Sequence, residues 1–127
     1  MNVPEDLKYS KDHEWIRIDG ENAYIGITDF AQGELGDIVF VELPDLLTSV
    51  NSGNPIATIE AVKTVADLYM PIDGEIVKIN QNLESEPESI NHDAYNNGWI
   101  AKIQISNSGE LDNLMNSKAY DTMLTEE

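Results

Sequence analysis

The chain has 127 residues, 41% of them apolar, and no cysteine. That length allows one domain with its own core, burying about two thirds of the surface its unfolded form exposes; disulfides, thiol nucleophiles and thiolate metal sites are excluded. Seven bases against 24 acids give a net charge of −17, which sets aside nucleic acid and anionic lipid as partners and favours partners with positive patches.

The opening residues, MNVPEDLKYSKDHEW, are mixed and polar. They have neither the apolar stretch of a secretory signal nor the arginine-rich bias of a transit peptide. No apolar run approaches the ~20 residues of a membrane-spanning helix, so a cytoplasmic protein is expected. HEWIRID then alternates apolar and polar, Asp19-Gly20 marks a turn, and NAYIGI alternates again, which predicts a hairpin. TDFAQGELG predicts a short helix, capped by Thr28 or Asp29 and ended at Gly36. GDIVFVELP is a β-branched strand stopped by Pro44, and SVNSGNP is turn-like. PIATIEA (55–61) and VADLYM (65–70) are two short strands on either side of Val62-Lys63-Thr64. GEIVKIN is another strand. NLESEPESINHDAYNNG is a polar loop with one helical turn after Pro87, and WIAKIQI is the last strand. The tail (108–125) carries Leu111, Leu114 and Met115 at helical spacing, then Tyr120, Met123 and Leu124, which predicts two short helices over the β core.

A short repeat is visible. Gly36-Asp37-Ile38-Val39-Phe40-Val41 matches Gly74-Glu75-Ile76-Val77-Lys78-Ile79 in pattern. Matches of this length also arise by chance among β proteins. As a structural repeat it implies two similar β units, with the hairpin that carries Lys63 between them. Neither unit alone could cover its apolar face, so the two would sandwich.

Lys63 is the one base in the run IEAVKTVADLYMP, and the preceding base is Arg17. A tight turn between paired strands projects its central residue into solvent on a rigid footing. An enzyme that must acylate one lysine out of six needs such a display. Lysines at exposed turns are often idle, so spacing alone leaves the role of Lys63 open.

The segment EAVKTVADLYMPIDGEI resembles the attachment segment of the H-protein family of the glycine cleavage system, whose pattern is close to E-S-V-K-x-x-S-D-L-x-x-P-x-x-G-E. Glu60, Val62, Lys63, Asp67, Leu68, Pro71, Gly74 and Glu75 stand in place, and Ala61 replaces the commoner serine. KYSKDHEWIRIDG, residues 26–44 (GITDFAQGELGDIVFVELP) and ESINHDAYNNGWIAKI resemble further blocks of the same family. The likeness runs from about Leu7 to Tyr120.

The resemblance implies a mainly β fold, a flattened barrel-sandwich hybrid of the lipoyl/biotinyl-domain type, with short edge helices and a helical C-terminal tail. It implies a single carrier domain over 1–127, with its core at about 7–106, that does not itself catalyse. The cofactor would be lipoate, joined by an amide to Lys63; the lysine and lipoyl chain together reach on the order of 14 Å. The implied partners are a pyridoxal-phosphate glycine decarboxylase, a tetrahydrofolate-dependent aminomethyltransferase, dihydrolipoyl dehydrogenase and a lipoylating enzyme. A monomer is expected. Glu14 and Asp67 match family positions expected to hold the aminomethyl amine, and Glu60 one expected to be read by the lipoylating enzyme. Asp12 and Glu34 stand where the family varies and receive no role. The absence of cysteine suits a dithiolane cofactor, because a protein thiol nearby could trap it as a mixed disulfide.

His13 and His92 lack metal-ligand spacing, and no metal site is expected; His13 is expected to pack or hydrogen-bond in the first hairpin, and Trp15 and Trp99 to be core aromatics. Rival readings are a lipoyl relay that passes lipoate to other complexes, a lipoyl or biotinyl carrier domain of another multienzyme complex, and an enzyme working through paired carboxylates. Biotin carriers favour methionines beside the lysine, and 2-oxoacid dehydrogenase lipoyl domains favour Asp-Lys-Ala; here the neighbours are Val62 and Thr64. No base, electrophile or phosphate cradle accompanies the carboxylates.

Overall fold

The alternation over 13–27 folds as an antiparallel pair, β2 (Glu14–Asp19) and β3 (Asn22–Ile27), in a computed structural model that describes residues 2–126. β2 starts one residue later than the alternation, because His13 has φ +66° and belongs to the preceding turn. A two-residue strand, β1 (Lys8–Tyr9), pairs with β2 through Lys8–Ile16 and Tyr9–Trp15. Two residues cannot display a period, so β1 left no trace in the pattern.

Helix α1 (Asp29–Leu35) starts at Thr28, whose hydroxyl accepts from the Ala31 amide at 3.3 Å, and ends at Gly36 with φ +80° and ψ −154°. The hydroxyl satisfies one of the amides that a helix start leaves without a partner. β4 (Ile38–Glu42) follows, then β5 (Ser49–Val50), a two-residue strand inside the stretch read as a turn. β6 (Pro55–Ala61), β7 (Val65–Tyr69) and β8 (Gly74–Ile79) take the expected places. The polar loop contains a 3-10 turn at Gln81–Glu84 and one α-helical turn, α2 (Ser89–His92). β9 (Ala101–Ile105) is the last strand. The first tail helix is a 3-10 helix, Ser108–Asn113; the second, α3 (Ser117–Thr125), is capped by the Asn116 side chain, which accepts from Ala119 N–H at 2.8 Å.

The strands form two sheets that do not close on each other. One has six strands in the order β1-β2-β3-β9-β8-β5, the other three in the order β4-β6-β7. Every pairing is antiparallel. One core lies between the sheets. Ile16, Ile25, Ile76 and Ile103 come from the large sheet, Ile38, Val41, Ile59 and Leu68 from the small one, and all are buried. Each such side chain contributes about 1.5–3 kcal/mol through removal from water. Leu111 and Leu114 of the tail pack against this core.

A second, aromatic cluster joins Tyr9, Trp15, Tyr95 and Tyr120, with Met115, Met123 and Leu124 against it. Tyr9 and Tyr120 stack with ring centroids 4.7 Å apart. Trp15 is fully buried and donates to the Ala94 carbonyl at 3.0 Å. Trp99 departs from the expectation of a core aromatic. It is half-buried at the rim, edge-on to Tyr24 at 5.2 Å, with the Lys78 ammonium 5.9 Å from its ring. His13 is tied across the fold rather than only within its hairpin: Nδ1 is 2.8 Å from the Tyr120 hydroxyl, which is also 2.7 Å from Thr28 Oγ1.

The short repeat has a structural counterpart. In β4 the register against β6 shifts between Ile38 and Phe40; in β8 the register against β9 shifts between Ile76 and Lys78. Both strands therefore bulge at the valine of the Ile-Val pair, Val39 and Val77. Among the described residues, no helix is long and apolar enough to cross a membrane.

Candidate functional site

β6 and β7 form a hairpin with Glu60 opposite Val65. Beyond that pair the Ala61 amide donates to the Thr64 carbonyl at 2.8 Å, leaving Val62 and Lys63 at the tip. The alternation that buries Ala57, Ile59, Ala61 and Leu68 sets the arms firmly in the core. The tip has a second fastening. The Val62 amide donates to the Asp37 carbonyl at 3.0 Å, in the corner between α1 and β4. A hairpin tip bonded to a third segment loses the swing of a free reversal.

Lys63 is exposed, and Val62 and Val65 beside it are 75% and 57% exposed. The lysine stem lies across Gly36: a Cβ built there would stand 3.4 Å from Lys63 Cε and 3.8 Å from Nζ. The residue that ends α1 therefore also gives the lysine a surface without a side chain.

The corner beneath is held by Asn91 of α2. Its Oδ1 accepts from the Ile38 amide, and its Nδ2 donates to the Gly36 carbonyl and to Gln32 Oε1, each at 2.9 Å. Nothing in the sequence singled out Asn91; it stands in a polar loop, 28 positions from Lys63.

The carboxylates occupy three different settings. Glu14 is 2% exposed. Its Oε1 accepts from the Ser10 hydroxyl at 2.8 Å and its Oε2 from the Tyr69 amide at 2.7 Å. The second bond ties β2 of the large sheet to β7, the edge strand of the small one. Burial pushes the carboxyl up to about 8, with Asp12 adding repulsion, against the bonds from Ser10 and Tyr69 that favour the charged form. Desolvation wins because two hydrogen bonds replace only part of the water a carboxylate loses. Asp67 is exposed, opposite Thr58, whose hydroxyl donates to Asp67 Oδ1 at 3.3 Å. Glu60 is half-buried, between Phe40 of β4 and Val65 of β7. Asp67 and Glu60 thus share the outer face of the small sheet, while Glu14 sits in the seam, bonded two residues beyond Asp67 on the same strand. Neither the depth of Glu14 nor its serine partner was visible in the sequence, because acids carry no periodic signal of burial.

Asp12 and Glu34 are exposed and lie apart. Asp12 lines a cavity of about 440 Å³ with Ser10, Met70 and Met115; Glu34 lines a groove of about 460 Å³ along α1 with Phe30 and Gln32.

Residues 7–127 match the family Glycine cleavage H-protein. The chain is 53% identical over 125 residues to a glycine cleavage system H protein of Symbiobacterium thermophilum, covering 98% of each chain. It is 48% identical over 126 residues to the corresponding protein of Geobacillus thermodenitrificans, covering 99% of each. A crystal structure of a glycine cleavage system H protein from Mycobacterium marinum superposes with a TM-score of 0.88 at 36% identity, over 97% of this chain and 99% of that one. Fold, hairpin and near-full-length identity agree, and the chain belongs to the glycine cleavage H-protein family.

Proposed function

We propose that this chain is a non-catalytic lipoyl carrier in glycine cleavage, with lipoate joined by an amide to Nζ of Lys63. One observation carries the reading: in a member of this family, an exposed lysine stands at a hairpin tip fastened by two backbone bonds. The residues present fit the group. The bare backbone of Gly36 leaves room beneath the arm, and exposed Val62 and Val65 offer apolar surface on either side. When attached, the group would supply reversible disulfide chemistry, held by Lys63 through its amide, and with it the chain would carry an aminomethyl unit from glycine decarboxylase to the aminomethyltransferase and a dithiol to dihydrolipoyl dehydrogenase.

The protein's part is display, shelter and docking. A stiff hairpin keeps the amine available to several active sites with little loss of effective concentration. Asp67, exposed on the outer face of β7, offers a carboxylate to a cationic amine; Glu14, kept protonated by burial up to about pH 8, offers it a neutral carboxyl with the lone pairs that Ser10 and Tyr69 leave open. Glu60 presents an acid on the arm of the hairpin for the lipoylating enzyme to read. The net charge of −17 steers docking to basic rims on the partners. Intact mass and peptide mapping of protein from lipoate-replete cells tests the attachment. A lipoyl adduct on Lys63 is the expected result, and a bare lysine sinks the reading. For docking, the affinity for the decarboxylase should weaken steeply as salt rises; a flat response removes the steering role.

A further inference from the structure

We propose that Asn91 is a positioning residue for lipoate attachment, acting through the 36–38 corner from which the tip of the Lys63 hairpin hangs. The inference rests on Lys63 being the attachment point. Asn91 does not act on the lysine directly; among the described residues its three hydrogen bonds go to Gln32, Gly36 and Ile38. The Ile38 amide can only donate, so the oxygen of the Asn91 amide must face it, and both of its N–H groups are then used on Gly36 and Gln32. One side chain thereby satisfies the peptide groups on either side of Asp37.

The Asp37 carbonyl, held between those two bonds, accepts from Val62 N–H at 3.0 Å, and Ile38 is the cross-strand partner of Ala61. Asn91 thus reaches the tip through the 37–38 peptide and one further hydrogen bond, from Val62 N–H to the Asp37 carbonyl. Gly36 also carries the lysine stem. Removing the amide leaves the Gly36 carbonyl and the Ile38 amide without their partner, frees the corner, and lets Val62 and Lys63 sample more orientations. A modifying enzyme must then order the tip as it binds, which raises KM more than it lowers kcat.

The test is the acylation itself. The unprotonated Nζ attacks the carbonyl carbon of lipoyl adenylate, the amide C–N bond forms, and the C–O bond to the phosphate breaks. AMP leaves with the bonding pair, and the proton of the amine passes to solvent. Unmodified protein is incubated with a lipoate–protein ligase, ATP and lipoate, and formation of the Lys63 adduct is followed by mass. Asn91→Ala should lower kcat/KM about tenfold, chiefly through KM, the order expected when hydrogen bonds that order the tip are lost. Amide exchange at Val62 should quicken in parallel.

Asn80 gives a matched control. It is a buried asparagine, where Asn91 is half-buried, and among the described residues its side chain donates to the Asn97 and Trp99 carbonyls at 2.8 Å each and not to the 36–38 corner. Asn80→Ala should lose comparable stability yet be acylated at the wild-type rate with Val62 protection intact. Equal slowing in both variants, or unchanged KM and Val62 exchange in Asn91→Ala, overturns the proposal. If Asn91→Ala does not fold, Asn91→Asp carries the same test, since it keeps the acceptor for Ile38 and loses both donors; wild-type KM there overturns it equally. Failure of the wild-type chain to accept lipoate on Lys63 would instead remove the attachment reading, and this inference with it.

Discussion

β4 and β8 bulge at the same valine of the same short pattern, yet β4 is an edge strand of the small sheet and β8 lies between β9 and β5 in the large one. Their leading glycines differ accordingly. A Cβ on Gly74 would meet the Gln104 carbonyl oxygen at 2.6 Å, inside the sheet. A Cβ on Gly36 would meet only the flexible stem of Lys63, at 3.4 Å. The pattern sets the local backbone, and the neighbours decide whether the space a glycine leaves is filled by a strand or by a lysine. The β8 copy is given to packing and the β4 copy to display.

The largest effect should fall on the display side and leave the packing side untouched. Lys63→Arg keeps the charge and the stem but cannot form the lipoyl amide, so attachment should disappear entirely. Stability should move by no more than about 0.5 kcal/mol, as for an exposed position without packing. Mass analysis reads the first and urea unfolding the second. A substantial loss of stability would mean that the lysine belongs to the frame rather than to the display.

Gly74→Ala should give the reverse result. Backbone cannot retreat from a 2.6 Å contact as a side chain can, so β8 and β9 must separate locally at a cost of about 3 kcal/mol. The urea midpoint should fall by that amount. Whatever protein remains folded should still accept lipoate.

The joint between the two sheets can be probed through pH. The Glu14 carboxyl is raised from 4.5 to about 8 in the folded protein, first by burial. Below pH 4.5 both folded and unfolded chains hold the proton, and the contribution of Glu14 is complete. Between 4.5 and 8 the unfolded chain has released the proton and the folded one retains it, so this contribution declines as pH rises. A glutamine at this position would not titrate, while its amide can still accept from Tyr69 and donate to Ser10. Glu14→Gln should therefore gain on the wild type as pH rises above 4.5, its advantage growing by roughly 3–4 kcal/mol between pH 5 and pH 8. The 23 other acids act in both proteins and cancel in the difference. Equal stabilities across the window would mean that Glu14 is charged in its seam.

Lys63 and its hairpin were legible from the sequence because two apolar runs flank a polar reversal, and a short period-2 signal survives without tertiary context. α1 was legible because caps act within one turn of the helix. The repeat could be seen, but not that both copies bulge, since a bulge is defined against a partner strand. β1 and β5 were illegible because two residues cannot show a period. Ser10, the burial of Glu14 and the role of Asn91 were illegible for a different reason. Each residue acquires its role from a partner that the fold supplies, whether the Tyr69 amide or the corner at 36–38. His13 was expected to bond locally, and its 2.8 Å contact to Tyr120 spans 107 positions. Periodicity reports which face a residue takes, not which distant atom it meets.

The smallest expected effect comes from Gly36→Ala, and it tests whether the two glycines truly differ in kind. With φ +80° and ψ −154°, Gly36 occupies a region that is essentially closed to residues with a Cβ, so alanine there should cost about 1–2 kcal/mol in backbone strain. The added methyl itself meets only Lys63, which can move aside. Stability should thus drop less than in Gly74→Ala, while acylation of Lys63 should slow by a few-fold because the stem loses its flat bed. The two variants would then order oppositely in stability and in acylation rate, read by urea midpoint and by mass. If Gly36→Ala proves the more destabilising, with acylation unchanged, the β4 copy is as much a packing element as its counterpart, and the division between display and packing fails at its simplest point.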